Sequence, residues 1–354
     1  MHMADALLSP TVGMVFIAGS AVALGVSAKK LGEDTDERKV PLMGVLGAFV
    51  FAAQMINFTI PATGSSGHLG GGMLLAMLLG PYAAFITIAS VLVVQALIFA
   101  DGGILALGTN IWNLGVYPCF VGWLIYKAIA GKEPSGVKLS IAAVVGVLVA
   151  LEMGALSVVV ETVLSGRSEL PFGKFSAVML GIHLPIAIVE GLVTVAVVNF
   201  VYRIRPEVVK ETLGLGDEYR EGGISYKPVL VSIAAATLLV GGVVAWFASS
   251  NPDGLEWTIA KVYGHEELAA PEEGIIPKLA GVQEKVAPLP DYGFKPPETE
   301  TAAEADDGEG EESWPAVSGG TTVSGILGSG IVLALVGLLG IFMIKIRGVG
   351  AEKG

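Results

Sequence analysis

The sequence predicts an all-α polytopic membrane protein, and three observations carry that prediction. Of its 354 residues, 53% are apolar and 15% charged, whereas soluble domains carry about a quarter charged residues. The mean hydropathy is +0.70. Nine apolar segments fall at 11–28, 40–60, 65–80, 82–100, 104–126, 138–164, 174–202, 227–248 and 322–344, most of them near the roughly 20 residues that a helix needs to cross a bilayer core.

The charged stretch Lys29 to Lys39 separates the first two segments. Between 65 and 100 the apolar run is interrupted at Gly80-Pro81; proline starts helices well and breaks them internally, so the run divides there into two spans. Asp101-Gly102-Gly103 is a turn before 104–126, and Lys127, Lys132 and Lys138 mark the loop before 138–164. The span at 174–202 ends at Arg203-Ile-Arg205. After 227–248 comes Asn251-Pro-Asp-Gly-Leu-Glu256, whose turn dipeptides predict a chain leaving the membrane and entering a short helix. The 48 glycines are explained chiefly by small faces that let membrane helices approach closely.

Lys and Arg collect in cytoplasmic loops. With the N-terminus outside and nine crossings, fifteen of the twenty-one basic residues face the cytoplasm, as does the C-terminus. A single span over 65–100 would reverse the parity and put Lys127 and Lys132 outside, so the charges support the split. The chain then divides into residues 1–205 with seven spans, a cytoplasmic linker at 206–226, and 227–354, whose spans 227–248 and 322–344 flank an extracellular segment at 249–321. That segment holds sixteen acidic residues against four lysines, which accounts for the whole net charge of −12. Within it, Pro288 to Val317 reads as a flexible, solvated linker, too polar to form a core. The predicted location is the cell membrane, with the lipid bilayer as surroundings.

Several chemistries are excluded. The single cysteine, Cys119, cannot build a disulfide framework, a Cys-type zinc site or an iron–sulfur cluster. The acidic balance argues against nucleic acid as a partner, and no Walker A pattern is present, so the chain does not supply its own ATP hydrolysis. No covalently bound cofactor is indicated.

Two of the four histidines stand where packing does not explain them: His2, and His68 in Ser66-Gly-His-Leu-Gly-Gly71. Both fall on the outer side in this topology. Met1-His2-Met3-Ala4-Asp5 lacks the basic region of a cleavable signal, and the bulk of His2 disfavours removal of Met1, so the chain is expected to begin at Met1. The Met1 amine, the His2 amide nitrogen and His2 Nδ1 can close fused five- and six-membered rings around one ion. The His68 imidazole would complete a planar four-nitrogen site, the geometry of Ni(II) or Cu(II) rather than tetrahedral zinc. No carboxylate is among these donors, which argues against Mg and Ca. The competing reading is an accidental histidine at a terminus and a helix-capping His68.

His183 and Glu190 lie seven residues apart on one helix face, and ionisable groups within a membrane are functional candidates. His183 with Glu190 or Glu161 could serve a membrane-embedded metalloenzyme, or these groups could simply bond between helices or contact a partner subunit. Asn57, Asn110 and Asn113 could orient ligating imidazoles or bond between helices, and Asp101 belongs to the turn beside them.

With these residues in view, the chain resembles the nickel/cobalt substrate-binding component of energy-coupling-factor transporters. The resemblance covers about residues 1–205 and rests on Met1-His2 followed by Ala4-Asp5, the Asn57-Phe58 stretch, Ser66 to Gly71, Leu79-Gly-Pro-Tyr82, Gln95 to Gly103, Leu107-Gly-Thr-Asn110, Gly181-Ile-His183 and Glu190-Gly191. The Asn251 to Glu256 motif and the last span resemble the small second component of such systems, more its nickel type. The resemblance implies a seven-helix bundle with two further transmembrane helices, and an ion held by Met1, His2 and His68. Asn57, Asp101, Asn110, His183 and Glu190 would stand around that ion's donors. It further implies two ATPase subunits and a transmembrane coupling subunit as partners, with Ni(II) or Co(II) as cargo. Such proteins often begin Met-His-Ile-Pro-Asp, whereas this chain has Met3 and Ala4; neither side chain is an expected ligand.

Overall fold

The computed structural model describes residues 2–34, 39–167, 169–215, 226–295 and 314–351. Helix α1 (Pro10–Asp34) opens on its proline. Only 17% of its most apolar stretch is buried, and Met14, Val15 and Val22 are exposed, a face that suits hydrocarbon and not water. Helix α2 (Lys39–Gln54) is shorter than the span expected at 40–60. The chain leaves it to form a hairpin of β1 (Phe58–Ile60) and β2 (Ser65–Gly67), antiparallel with Thr59 opposite Ser66.

The largest departure from expectation lies at 65–80. Only α3 (Gly72–Leu79) is helical there, about 12 Å of helix at 1.5 Å per residue. Gly71 stops it from extending backwards, because its φ of 74° is left-handed and a helix cannot pass through that conformation. Helix α4 (Pro81–Ile98) does begin at its proline and packs along α3. The chain therefore leaves the His68 end through α3 and returns to it at Asp101, which keeps the parity that the split at Gly80-Pro81 gave.

The next crossing is one helical run in three parts: α5 (Leu107–Ile111), a π-helical stretch (Trp112–Gly122) and α6 (Trp123–Ala130). Pro118 sits inside the stretch, where it has no N–H for the regular ladder. Helix α7 (Gly136–Leu164), capped by Ser135, and α8 (Phe172–Ile204) form the most extensive helix pair. Short α9 (Pro206–Thr212) closes the far end of α3, the Thr212 hydroxyl donating to the Met77 carbonyl at 2.9 Å.

Helices α10 (Lys227–Gly242) and α13 (Gly319–Ala351) pack on α2 and on each other. Between them, α11 (Gly254–Tyr263) and α12 (Ile275–Val286) lie over the His68 end of the bundle. Among the described residues five helices are long and apolar enough to cross a membrane, α1, α4, α7, α8 and α13, with α2 and α10 as shorter apolar helices. The acidic residues Glu298 to Glu312 and the linker residues 216–225 lie outside the described residues. Pro288 to Lys295 do not behave as the solvated linker expected: Leu289 and Asp291 donate backbone bonds to the carbonyls of Ile98 and Phe99, and the Tyr292 ring stacks on Phe99 at 4.9 Å.

Candidate metal centre

A cavity of about 1090 Å³ lies where the hairpin, the Asp101 turn and the 253–292 segment meet, lined by His2, His68, Asp101, Asp253, Glu256 and Tyr292 among others. The N-terminal segment is pinned into it. The Met3 amide donates to Asn110 Oδ1 at 2.8 Å, Asn110 Nδ2 donates to the Met3 carbonyl at 3.2 Å, and the Gly103 amide donates to the same carbonyl at 3.0 Å. Asp5 Oδ1 accepts from the Ala106 amide at 2.8 Å. Asn110 thus acts on the backbone of residue 3 and not on an imidazole. Gly103 makes room for the arrangement, since a Cβ there would overlap Asp5 Oδ1 and lie 2.6 Å from the Asp5 nitrogen.

The clasp sets His2 beside His68. Their rings stack at 5.0 Å with an interplanar angle of 11°. His2 Nδ1 faces Asp101 Oδ1 at 3.2 Å, and Asp101 in turn accepts from the Tyr292 hydroxyl. Burial pushes the His2 imidazole below its ordinary pKa, against the pull of Asp101, because desolvation disfavours the charged ring. Its Nε2 is buried and, among the described residues, has no hydrogen-bond partner. His68 Nδ1 contacts the Leu69 carbonyl at 3.2 Å, and its Nε2 faces Asp253.

The stretch bearing His68 is non-helical backbone inside an apolar bundle, tolerable only if its polar groups find partners. Glu190, from α8, supplies them: its carboxylate oxygens accept from the Gly70 and Gly71 amides at 2.8 and 2.9 Å. Gln54 adds a third bond, Nε2 donating to the Gly70 carbonyl at 2.8 Å. His183 Nδ1 donates to the Met179 carbonyl of its own helix at 2.8 Å. Asn57 lines the cavity, its carbonyl accepting from the Ser249 amide at 2.7 Å. Asn113 donates to Glu161 at 2.9 Å. His265 stays exposed at the rim. Met1 lies outside the described residues.

Sequence reasoning missed Asp253, whose Oδ2 stands 3.8 Å from His68 Nε2. It caps α11, Oδ1 accepting from the Leu255 and Glu256 amides at 2.7 and 3.0 Å while Glu256 accepts from the Asp253 amide. The Asp-x-x-Glu spacing of a capping box was visible in the sequence; its approach to His68, in a distant part of the chain, was not.

Residues 2–208 match the family described as the cobalt uptake substrate-specific transmembrane region, CbiM, and residues 227–345 match the PDGLE domain. The chain belongs to the CbiM family. Of proteins similar to this CbiM member, the fused nickel transport protein NikMN of Rhodobacter capsulatus is 30% identical over 82% of this chain and 88% of its own length. The cobalt transport protein CbiM of Geobacter sulfurreducens is 27% identical over 78% and 81%. A crystal structure of a transition metal transporter matches with a TM-score of 0.51 and 32% identity, covering 63% of this chain and all of that one. The chain is thus a multi-pass membrane component of the cobalt-uptake family, a CbiM part joined to a PDGLE part, and not an enzyme. That sets aside the metalloenzyme alternative at His183 and Glu190. The geometry agrees, since one residue bonds its own helix and the other the His68 loop.

Proposed function

We propose that this CbiM member captures Ni(II), or Co(II), at the outer face of the cell membrane as the substrate-specific part of an energy-coupling-factor importer. Two ATPase subunits and a transmembrane coupling subunit supply the energy and the coupling. The donors are the Met1 amine, the His2 amide nitrogen and imidazole, and the His68 imidazole. The N-terminus lies outside and the C-terminus in the cytoplasm, as the distribution of Lys and Arg favours.

The observation that carries this reading is the clasp on Met3. It holds the start of the chain in the cavity of His68 by three hydrogen bonds, with the His2 and His68 rings side by side. Residue 1 is bonded directly to His2, so the two main-chain donors come with the imidazole. Loading removes the His2 Nδ1 contact with Asp101, since a nitrogen that donates to a carboxylate cannot also bind an ion. Planar low-spin Ni(II) suits four nitrogens better than Co(II) does, and the PDGLE part agrees with the relatives named for nickel.

The test is an N-terminal extension. Purified chain beginning at Met1 is expected to bind nickel with a planar-site absorption band, and chain carrying a few residues before Met1 to lose both band and binding. Full binding by the extended chain refutes the chelate.

A further inference from the structure

The turn that carries Asp101 is held from the second fused part of the chain. Gln283 Nε2 donates to the carbonyls of Ala96 and Gly102 at 2.9 and 2.7 Å, and the Leu289 and Asp291 amides donate to those of Ile98 and Phe99. Asp291 and Tyr292 both adopt left-handed backbone, with φ of 49° and 58°, a costly conformation for residues other than glycine. Three contacts of Tyr292 hold it there. Its ring stacks on Phe99, its carbonyl accepts from the Ser324 hydroxyl at 2.9 Å, and its hydroxyl donates to Asp101 Oδ2. Gln95 Nε2 donates to the same hydroxyl oxygen at 3.2 Å, which leaves the phenolic proton for Asp101.

The two oxygens of Asp101 therefore have different partners, the Tyr292 hydroxyl on Oδ2 and His2 Nδ1 on Oδ1 at 3.2 Å. His2 Nδ1 is the nitrogen that the chelate gives to the ion, so a loaded ion displaces Oδ1 and comes to lie beside that carboxylate. An ion held by four nitrogens in one plane has open positions above and below it. A carboxylate that entered one would turn the site from planar toward five or six donors, which takes away the advantage of Ni(II) over Co(II).

We propose that Tyr292, supplied by the PDGLE part of the chain, is a specificity-determining residue of the metal site. Its hydroxyl, fixed by the Phe99 stack and the Ser324 bond, keeps the Asp101 carboxylate from following the ion after His2 Nδ1 is taken. The site then stays a four-nitrogen plane, and the C-terminal part sets the metal preference of donors that all lie in the CbiM part. The proposal rests on the chelate reading above.

The test uses the full chain with its native start, titrated with nickel alone and with cobalt alone. Tyr292→Phe keeps the ring on Phe99 and the Ser324 bond and removes only the hydroxyl. It is expected to weaken the planar nickel absorption band and to lower the ratio of nickel to cobalt affinity about 10-fold, within the usual effect of losing a group that orients a metal site, with the metal-free unfolding temperature unchanged. Asp101→Asn takes away the carboxylate that the hydroxyl restrains, so adding Tyr292→Phe to it is expected to change neither band nor ratio further. Three results overturn the proposal: native band and native ratio in Tyr292→Phe; the same change on adding Tyr292→Phe with or without the Asp101 carboxylate; or both metals weakened equally in step with unfolding temperature, which would make the hydroxyl merely structural. A chain extended before Met1 that keeps its band and affinity removes the chelate itself, whatever Tyr292→Phe shows, and the proposal with it.

Discussion

Glu190 holds the His68 loop by two bonds, and the cost of removing them can be worked from the structure. Its two oxygens each accept one backbone amide, from Gly70 and Gly71, and the side chain is 4% exposed, so no water takes over when it leaves. A hydrogen bond to a charged acceptor contributes about 1.5–3 kcal/mol, and a buried donor left without a partner costs about 1–3 kcal/mol. Glu190→Gln keeps one acceptor and turns an NH2 toward the other amide, for an expected loss of about 2–3 kcal/mol. Glu190→Ala loses both bonds, which at the single-bond figure taken twice comes to about 3–6 kcal/mol. It also frees the loop beside His68. The assay is built into the chain: Cys119 is the sole cysteine and is buried, so a thiol-reactive fluorophore reports unfolding of the detergent-solubilised protein. Nickel titration of the same samples follows the loop. Unfolding and nickel affinity unchanged in both variants would show that Glu190 does not hold the loop.

Gly103→Ala places a methyl on top of Asp5 Oδ1 as the structure stands, so the N-terminal segment must move; nickel binding should fall sharply while the helices remain by circular dichroism, and normal binding would refute the clasp as the organiser of the site. Nickel affinity should rise with pH. Below the amine's reference pKa of about 7.7–8.0, each bound ion displaces about one proton from the amine and one from the His2 amide, so log K climbs by about two per pH unit, and by about one above that range. Burial lowers the pKa of the His2 ring, which reduces that ring's own share in the slope. Titration at several pH values showing no slope would remove the amine and amide from the donor set.

The spans were legible wherever a long apolar run met a plain boundary. Pro10 opens α1 and Pro81 opens α4, as proline at a first turn should. The stretch 65–80 misled because hydropathy reports burial and not conformation: Gly70-Gly71-Gly72 is as apolar as a helix, but Gly71 is left-handed. The segment 288–295 misled in the opposite sense. Its few docking groups, Leu289 and Tyr292, stand in a chain dominated by prolines and acids, and their seats on Ile98 and Phe99 belong to the other fused part of the chain. His2 and His68 could be picked out as unexplained histidines, and Asp101 as their neighbour. The roles of Asn110 and Glu190 could not, because both hold backbone, and a backbone acceptor leaves no trace in side-chain pattern.

The order of residues alone determined that this chain lives in a bilayer, where most of its spans are bounded, and that histidines stand at positions 2 and 68. These follow from local quantities: hydropathy summed over the length of a span, proline geometry and charge. Only the tertiary structure decided that Met3 is clasped by Asn110, that the His68 loop hangs on Glu190, and that Asp253 comes to rest against His68. Each of these depends on the packing of elements far apart along the chain, and such packing is set by how many helices fit together at once, which no short window of sequence contains.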